Sequence, residues 1–279
     1  MLMIPAPVLP AAAIETLQRL QQRYQQQSAS SPVPASRPLR IAGRLCGWLD
    51  PAAQAALADN PVCVRHDDGL ELFHDIPPGP ALDAALAALA LKLRDAGCLR
   101  TWRDETLPVT DASGQVFAAL ERGAVRPFGL LTFALHLNAW TPEGNLWIAQ
   151  RALTKSTDPG MWDTLVGGLA AYGESMETAL LRESAEEAGL APADLNSRSP
   201  LRTIWRVRSR LPEGYQLEDI IVSDCILSPD VRPANQDGEV MAIRTASPLE
   251  VTAMLEAGDF TQEAALVLVE GLLHYSQAT

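Results

Sequence analysis

The segment GLAAYGESMETALLRESAEEAGL, residues 168–190, determines the fold and the chemistry that the sequence predicts. It follows the spacing Gly-x5-Glu-x7-Arg-Glu-x2-Glu-Glu-x-Gly. In a helix that begins near Ser175, the carboxylates of Glu183, Glu186 and Glu187 are three or four residues apart and share one face. Without a cation these carboxylates would repel one another. Since all side-chain ligand atoms would be oxygens, the pattern predicts a site for magnesium, manganese or calcium rather than zinc, which prefers Cys or His.

The same pattern resembles the Nudix box of hydrolases that cleave a diphosphate linked to another group. All seven residues that this spacing specifies agree with the family pattern across these 23 residues. A random acidic helix would not also supply Gly168, Glu174, Arg182 and Gly189. One position departs from the family pattern: Ser184 stands where an aliphatic residue is usual, and we expect it to weaken helix packing slightly.

The resemblance implies a role for each matching residue. Glu183, Glu186 and Glu187 would bind the metal, with Glu187 the least dispensable, and the carbonyl group of Gly167 is a further candidate ligand. Arg182 would not bind metal but would orient the carboxylates. Glu187, Glu183 and Arg182 therefore form the predicted catalytic set.

Three further residues would support this site. Glu174 lies within reach of the Arg182 side chain. Gly168 would let a loop pass close to the metal, and Gly189 would take the left-handed conformation at the end of the helix. The implied cofactor is Mg²⁺, with Mn²⁺ as the alternative, and the metal would activate a water molecule.

Two basic residues upstream of the box, Arg151 and Lys155, are candidates for binding the substrate. In Nudix proteins and the related isopentenyl diphosphate isomerases, an Arg and a Lys in this segment commonly reach phosphate. The alternative is that both side chains stabilise a loop. Trp162, which we expect in the loop before the glycine pair, could stack on an aromatic ring of the substrate, with core packing as the alternative.

The group that accepts the proton of the attacking water is left open by the sequence. Glu187 itself or a carboxylate from a later loop could take this proton. The later candidates are Glu218, Asp219 and Glu239. His136 is also considered, because it lies beside the predicted site.

A narrower resemblance concerns the substrate. The runs RPFGLLTFALHLNAW (126–140) and LWIAQRALTKSTDPGMWDTLVGG (146–168) are similar to a Nudix subgroup with an additional domain before the catalytic unit. Fungal members act on thiamine diphosphate and its oxidised analogues and release the monophosphate, which implies such a small-molecule diphosphate here. The alternatives are hydrolysis of nucleoside diphosphate derivatives such as ADP-ribose or NADH, and a non-catalytic ligand sensor. An isomerase is disfavoured, because its cysteine motif and extended Glu motif are missing.

Three parts are predicted along the chain. Residues 1–38 contain a helix over 11–27 and a linker rich in Pro and Ser. Residues 39–125 form a small α+β domain of unknown role, and residues 126–279 form the Nudix hydrolase domain. The order of elements fits the fold that the Nudix resemblance implies, so the predicted fold class is α/β (α+β), an α/β/α sandwich with a mixed sheet preceded by the small α+β domain. Its strands are predicted near residues 131–137, 146–150, 164–169, 204–210, 220–227 and 240–245.

Composition limits the partners and the cellular location. The net charge of −12 disfavours a nucleic-acid partner, since affinity for the phosphate backbone comes largely from clustered Lys and Arg. The sequence has no uninterrupted apolar stretch long enough to predict a membrane span. The four cysteines lack metal-binding spacing, which predicts reduced thiols and a cytoplasmic protein. The family resemblance also allows a homodimer.

Overall fold

The computed structural model describes residue 4 and residues 7–276. The strands are β1 (Arg37–Ile41), β2 (Arg44–Leu49), β3 (Cys63–His66), β4 (Gly69–Leu72), β5 (Thr106–Thr110), β6 (Val116–Glu121), β7 (Leu131–Trp140), β8 (Leu146–Arg151), β9 (Trp162–Thr164), β10 (Val166–Leu169), β11 (Arg202–Leu211), β12 (Gly214–Ile226) and β13 (Val240–Ala246). The helices are α1 (Ala11–Gln27), α2 (Pro51–Ala56), α3 (Pro80–Asp95), α4 (Arg122–Val125), α5 (Met176–Ala188), α6 (Pro248–Ala257) and α7 (Gln262–Ser276), with a 3-10 helix at Pro192–Leu195.

The segment between α1 and β7 has its own hydrophobic core. A four-stranded sheet in the order β2-β1-β4-β3 packs with α3, and β5 and β6 form a separate antiparallel pair. The sequence did not predict the β5–β6 pair, because Pro108 lies in the middle of β5 and proline is unfavourable inside most strands. It also missed β1, in which Pro38 follows the predicted linker.

The second region is a sandwich around a mixed sheet in the order β11-β12-β7-β8-β13. Strands β12 and β7 are parallel, while the other neighbours in this order are antiparallel. Helix α5 covers one face of the sheet, and α1, α6 and α7 cover the other. The predicted α/β/α sandwich with a mixed sheet is confirmed.

Helix α1 has the predicted bounds and belongs to the core of the second region. Its apolar stripe buries Leu17, Leu20 and Tyr24 against α6 and α7. The Tyr24 hydroxyl donates to the carbonyl oxygen of Leu255 at 3.2 Å. The chain therefore completes one side of the sandwich before it forms the small sheet.

Two predicted strands differ from those observed. The strand predicted over 164–169 is divided into β9, which pairs with β8, and β10, which pairs with β7. Trp162 consequently lies in β9 opposite Gln150, not in a loop. Strand β12 begins at Gly214, six residues before the predicted start, because polar residues such as Gln216 and Glu218 hide the strand pattern there.

Among the described residues, no helix combines the length and the apolar character that crossing a membrane requires.

Candidate active site

Helix α5 begins and ends where its sequence directs. The Ser175 hydroxyl accepts a hydrogen bond from the backbone N–H of Thr178, which caps the first turn. Gly189 ends the helix with φ 64°, the left-handed conformation that favours glycine. These two caps set the ends of α5, and its buried residues, among them Leu180, Ser184 and Glu187, face the sheet.

The three glutamates of α5 differ in their exposure. The Glu187 side chain is 8% exposed and that of Glu183 is 15% exposed, whereas that of Glu186 is 49% exposed. Burial raises the pKa of Glu183 above its usual value, although the Arg182 guanidinium opposes this shift. The face of the helix that meets the sheet therefore carries two carboxylates withdrawn from water.

Glu187 is the most perturbed of these carboxylates. Its Oε2 accepts a hydrogen bond from the backbone N–H of Gly167 at 2.9 Å, and the Lys155 Nζ lies 3.8 Å from its Oε1. Burial raises the pKa of Glu187 to about 8, despite the opposing effects of the Gly167 N–H and Lys155. The chain thus buries a carboxylate whose cationic neighbour, Lys155, lies beyond hydrogen-bond distance.

Arg182 links the carboxylates of this region. Its Nε and Nη2 donate to the two oxygens of Glu174 at 2.8 and 2.9 Å. Its Nη1 lies 2.8 Å from Glu183 Oε1 and 3.1 Å from Glu186 Oε2. The Arg182 pKa is raised, chiefly by the hydrogen bonds to Glu174. Its contacts fit the carboxylate-orienting role that the sequence predicts.

Gly168 is required by the close approach of Glu183. A Cβ atom at position 168 would lie 2.0 Å from Glu183 Cδ, far inside a normal contact. The sequence predicted that Gly168 lies in a loop, and this prediction is wrong. Residues 166–169 pair with β7, so Gly168 belongs to β10. What approaches this backbone in the structure is the Glu183 carboxylate itself.

The structure places Lys155 between two carboxylates. Its ammonium group forms an ion pair with Glu239, and on the other side lies Glu187. Backbone contacts support this arrangement, since the N–H of Ala152 donates to the carbonyl oxygen of Glu239 at 2.8 Å. Lys155 and Glu239, which are both distant in sequence from α5, therefore form an ion pair beside the Glu187 carboxylate.

Arg151 is held by the loop that follows β8. Its Nη1 contacts Asp163 Oδ2 at 3.2 Å, and its Nη2 donates to the Thr157 carbonyl oxygen at 3.1 Å. Behind Asp163, the His136 ring lies beside Thr164, with Nδ1 2.9 Å from the threonine hydroxyl. Arg151 stabilises its loop and also lines the cavity described next.

A cavity of about 670 Å³ lies beside the glycines of β10. Its walls come from α1, the segment 122–126, β7, the 151–163 loop, the β11–β12 turn and the α6–α7 connection. Its charged and polar lining includes Arg122, Arg126, His136, Arg151, Glu218 and Glu263. Its volume is in the range of small-molecule pockets.

Several sequence candidates are not among the residues that line this cavity: Lys155, Trp162, Glu174, Arg182, Glu183, Glu186, Glu187, Gly189, Asp219 and Glu239. The Trp162 indole ring packs against the core under the Arg244 guanidinium, 4.7 Å from ring centroid to Cζ, and is not among the lining residues. Asp219 pairs with Arg206 through both carboxylate oxygens, at 2.6 and 2.8 Å. Because alternate residues of a strand point to opposite faces, Glu218 lines the cavity while Asp219 does not.

Sequence reasoning missed Arg122 and Arg126. The signal was present as ERGAVRP, with two arginines four residues apart just before the second region. Their helix, α4, is too short to give a periodic pattern. Nothing in the sequence placed this segment beside α5.

The residue types at the α5 glutamates fit a hard divalent cation. They offer carboxylate oxygens, two of them largely buried, against a backbone that the glycine pair leaves open. As the side chains stand, no three Asp, Glu, His or Cys residues in the described part of the chain are placed to enclose an ion. Their oxygens instead contact Arg182 and the Gly167 N–H.

Residues 134–266 match the family model of the NUDIX domain. Two Arabidopsis thaliana proteins, Nudix hydrolase 20 and Nudix hydrolase 24, both chloroplastic, are each 30% identical to this chain over 196 residues. The matches cover 68% of this chain and 52% and 53% of those proteins, so the chain spans about half their length. A Deinococcus radiodurans crystal structure aligns with a TM-score of 0.47 and 23% identity, covering 60% of this chain and 99% of that one.

Proposed function

Residues 134–266 form a NUDIX domain, and from this premise we propose that the protein is a metal-dependent hydrolase that cleaves the diphosphate bond of a small organic diphosphate. The observation that carries the proposal is Glu187, a buried carboxylate with a raised pKa whose cationic neighbour, Lys155, lies beyond hydrogen-bond distance, in a cluster of three glutamates. A divalent cation would supply the missing positive charge.

Glu183, Glu186 and Glu187, with the carbonyl group of Gly167, would hold Mg²⁺ or Mn²⁺. The bound metal would neutralise the diphosphate and lower the pKa of a water molecule. Arg182 fixes the rotamers of Glu183 and Glu186 through hydrogen bonds, which keeps these carboxylates in place as charge changes beside them.

Basic side chains next to the glutamates would receive the substrate. Arg151 lines the cavity together with Gly167 and Gly168 of β10. Lys155 is already beside Glu187 and Glu239, so it would balance charge among these carboxylates when a polyanion enters. Water would attack one phosphorus, and the second phosphate group would leave.

The proton of the attacking water would go to Glu187, Glu239 or Glu218. Glu239 lies next to Lys155 near α5, and Glu218 faces the cavity. The Glu218 carboxylate accepts from Thr132 at 2.6 Å and from Gln216 at 2.8 Å. Asp219 is withdrawn as a candidate, because its carboxylate is occupied by Arg206 outside the cavity.

For the substrate, we favour thiamine diphosphate or its oxidised analogues. One part of the cavity wall carries the carboxylates of Glu218 and Glu263, linked through the Gln216 amide at 2.8 and 2.9 Å. Such a wall suits an organic group with a positive charge, and the cavity is also lined by Tyr24 and Phe260. Nucleoside diphosphate derivatives such as ADP-ribose or NADH are the alternative.

The test is release of phosphate or a monophosphate, with Mg²⁺ present, from thiamine diphosphate, its oxidised analogues, ADP-ribose and NADH, with Glu187→Gln as control. Selective turnover of the thiamine compounds, lost in the variant, would support both the proposed hydrolysis and the proposed substrate. Turnover of a nucleotide would keep the chemistry and replace the substrate. Absence of turnover by folded protein that still binds a diphosphate would contradict the enzyme and favour a ligand sensor.

The proposed partner is a small-molecule diphosphate, with neither a nucleic acid nor a membrane, in line with a net charge of −12. A cytoplasmic location and a homodimer stay predictions.

A further inference from the structure

The cavity beside the glutamates is completed from outside the region that matches the NUDIX domain. The match begins at residue 134, yet the cavity is lined by Arg122 and Arg126 of the preceding segment and by Tyr24 of α1. Residues that contact a substrate in this cavity therefore include some that the family match does not contain.

The arginines around the cavity differ in how their hydrogen-bonding groups are used. Arg122 donates to Glu105 at 2.7 Å, and Arg151 is held by Asp163 and Thr157. The Arg126 side chain has a charged neighbour in Glu213, at 3.9 Å from Nε, which exceeds hydrogen-bond length. Within the described residues, its Nη1 is buried without a hydrogen-bond partner.

The guanidinium is therefore incompletely hydrogen-bonded: Nη1 is enclosed by protein, and Glu213 lies beyond hydrogen-bond distance of the remaining group, which faces the cavity. A guanidinium has five N–H donors in a rigid fork, and burying such donors without acceptors costs about 1–3 kcal/mol per group. The side chain is 29% exposed and lines the cavity. A phosphate group offers the paired oxygens that match this fork.

The backbone around Arg126 is fixed in position. Its carbonyl oxygen accepts from the N–H of Tyr215 at 2.9 Å. A Cβ atom at Gly214 would lie 2.3 Å from the same oxygen, so the β11–β12 turn is packed directly onto it. A side chain with a fixed base and unused donors is pre-organised to bind a ligand.

We propose that Arg126 binds a phosphoryl oxygen of the organic diphosphate in this cavity, so that a residue outside the NUDIX match determines substrate affinity. The inference rests on the proposed function and assigns Arg126 a substrate-binding role at the same site. Gly167 and Gly168, which contact Glu187 and Glu183, line the same cavity as Arg126. A diphosphate held at the α5 glutamates would therefore extend along this wall.

The test measures binding of two probes that cannot be hydrolysed, by calorimetry with the full chain and Mg²⁺. Methylenediphosphonate carries the two phosphorus groups alone, and α,β-methylene-ADP adds an organic part. The variants are Arg126→Gln and Arg126→Lys, with Arg65→Gln as the matched control, since Arg65 is exposed in β3 and does not line the cavity.

Arg126→Gln should weaken binding of both probes by about 10-fold or more, the loss expected for a hydrogen bond to a charged group. Arg126→Lys should be intermediate, because it keeps the charge but not the fork. Arg65→Gln should bind like the parent. Arg126→Gln should also unfold close to the parent's temperature, because the substitution removes only a partly exposed ion pair with Glu213 at 3.9 Å.

Arg126→Gln that binds both probes within twofold of the parent, while the parent binds well, would overturn this inference and leave the hydrolase proposal standing. A parent that binds neither probe would overturn both. With any substrate found in the turnover panel, Arg126→Gln should raise KM and change kcat by less, and the reverse split would contradict a binding role.

Discussion

Two buried glutamates, one in each region of the molecule, differ in the partners that surround their carboxylates. Glu71 in β4 is 4% exposed and Glu187 in α5 is 6% exposed. Glu71 lies 2.9 Å from His74 Nδ1 and 3.0 Å from His66 Nε2. Glu187 has a backbone N–H as its hydrogen-bond donor, with Lys155 no closer than 3.8 Å.

The pKa values of the two carboxyls move in opposite directions. Burial would raise the pKa of Glu71, but the hydrogen bonds from His74 and His66 outweigh it and lower the pKa. Burial raises the pKa of Glu187 to about 8, because its weak partners do not compensate. Glu71 is satisfied by its own domain, whereas the burial of Glu187 is not compensated within the described chain, which supports the proposed cation site.

The largest effect should come from removing the Glu187 charge. Glu187→Gln should lower kcat/KM for the substrate by more than about 100-fold, since loss of a ligand should exceed the 10- to 100-fold effect of residues behind a metal site. Glu71→Gln should leave kcat/KM within twofold. Steady-state kinetics with Mg²⁺ checks both variants, and equal losses in the two would contradict the distinction.

Arg182→Lys should lower activity by about 10- to 100-fold, because a lysine cannot contact three glutamates through one planar group. The variant should fold, since Lys keeps the charge next to Glu174. Kinetics at several Mg²⁺ concentrations measures the effect. Activity restored by high Mg²⁺ would agree with a role in arranging the ligands, and unchanged activity would contradict any role.

Without metal, the stability of the protein should depend on pH through Glu187. The folded-state pKa of about 8 exceeds the unfolded value of 4.5, so the folded state holds the extra proton between these values. The free energy of unfolding should therefore fall as pH rises from about 4.5 to 8, by the order of a few kcal/mol, and level off above. Urea unfolding in EDTA measures this slope.

Two controls test whether Glu187 causes this pH dependence of stability. Glu187→Gln should remove most of the decline, and Mg²⁺ should reduce it in the parent. Glu71 behaves with the opposite sign: its lowered pKa stabilises the fold above about 4.5 and loses this contribution as pH falls through the folded pKa. If the free energy of unfolding still falls between pH 4.5 and 8 in Glu187→Gln, groups other than Glu187 cause the decline.

The smallest effect should come from Ser184, a neutral side chain that is also buried without a compensating partner in the described part of the chain. The Ser184 hydroxyl is fully buried and has no hydrogen-bond partner within the described structure. Ser184→Ala removes this unsatisfied group and favours the helix, so it should raise the free energy of unfolding by about 1 kcal/mol. Urea unfolding at one pH checks it, and a loss of stability would show that the hydroxyl is satisfied.

The sandwich was predicted from the Nudix resemblance together with the order of its strands and helices, which are long and periodic enough to be recognised in the sequence. Helix α1 has its predicted bounds, and the caps of α5 were visible as Ser175 and Gly189. The failures came from short elements: β5 contains a proline, and β9 and β10 are three and four residues long. Such elements depend on pairing partners that local sequence does not specify.

The site was predictable in part for a similar reason. The α5 residues lie on one helix, so their spacing in sequence is their spacing in space. Arg122 and Arg126 reach the cavity only through the packing of two regions, and Glu239 reaches Lys155 across 84 residues. Asp219 and Glu218 could be separated only when the register of β12 was known.

The measurement that tests the central claim most directly is Mn²⁺ binding by the full chain near neutral pH, followed by calorimetry in buffers of different ionisation enthalpy. The account predicts binding that releases protons, because the cation displaces the proton favoured by burial of Glu187. It also predicts that Glu187→Gln weakens binding while Glu71→Gln does not. Equal Mn²⁺ binding by all three proteins, or none by the parent, would contradict it.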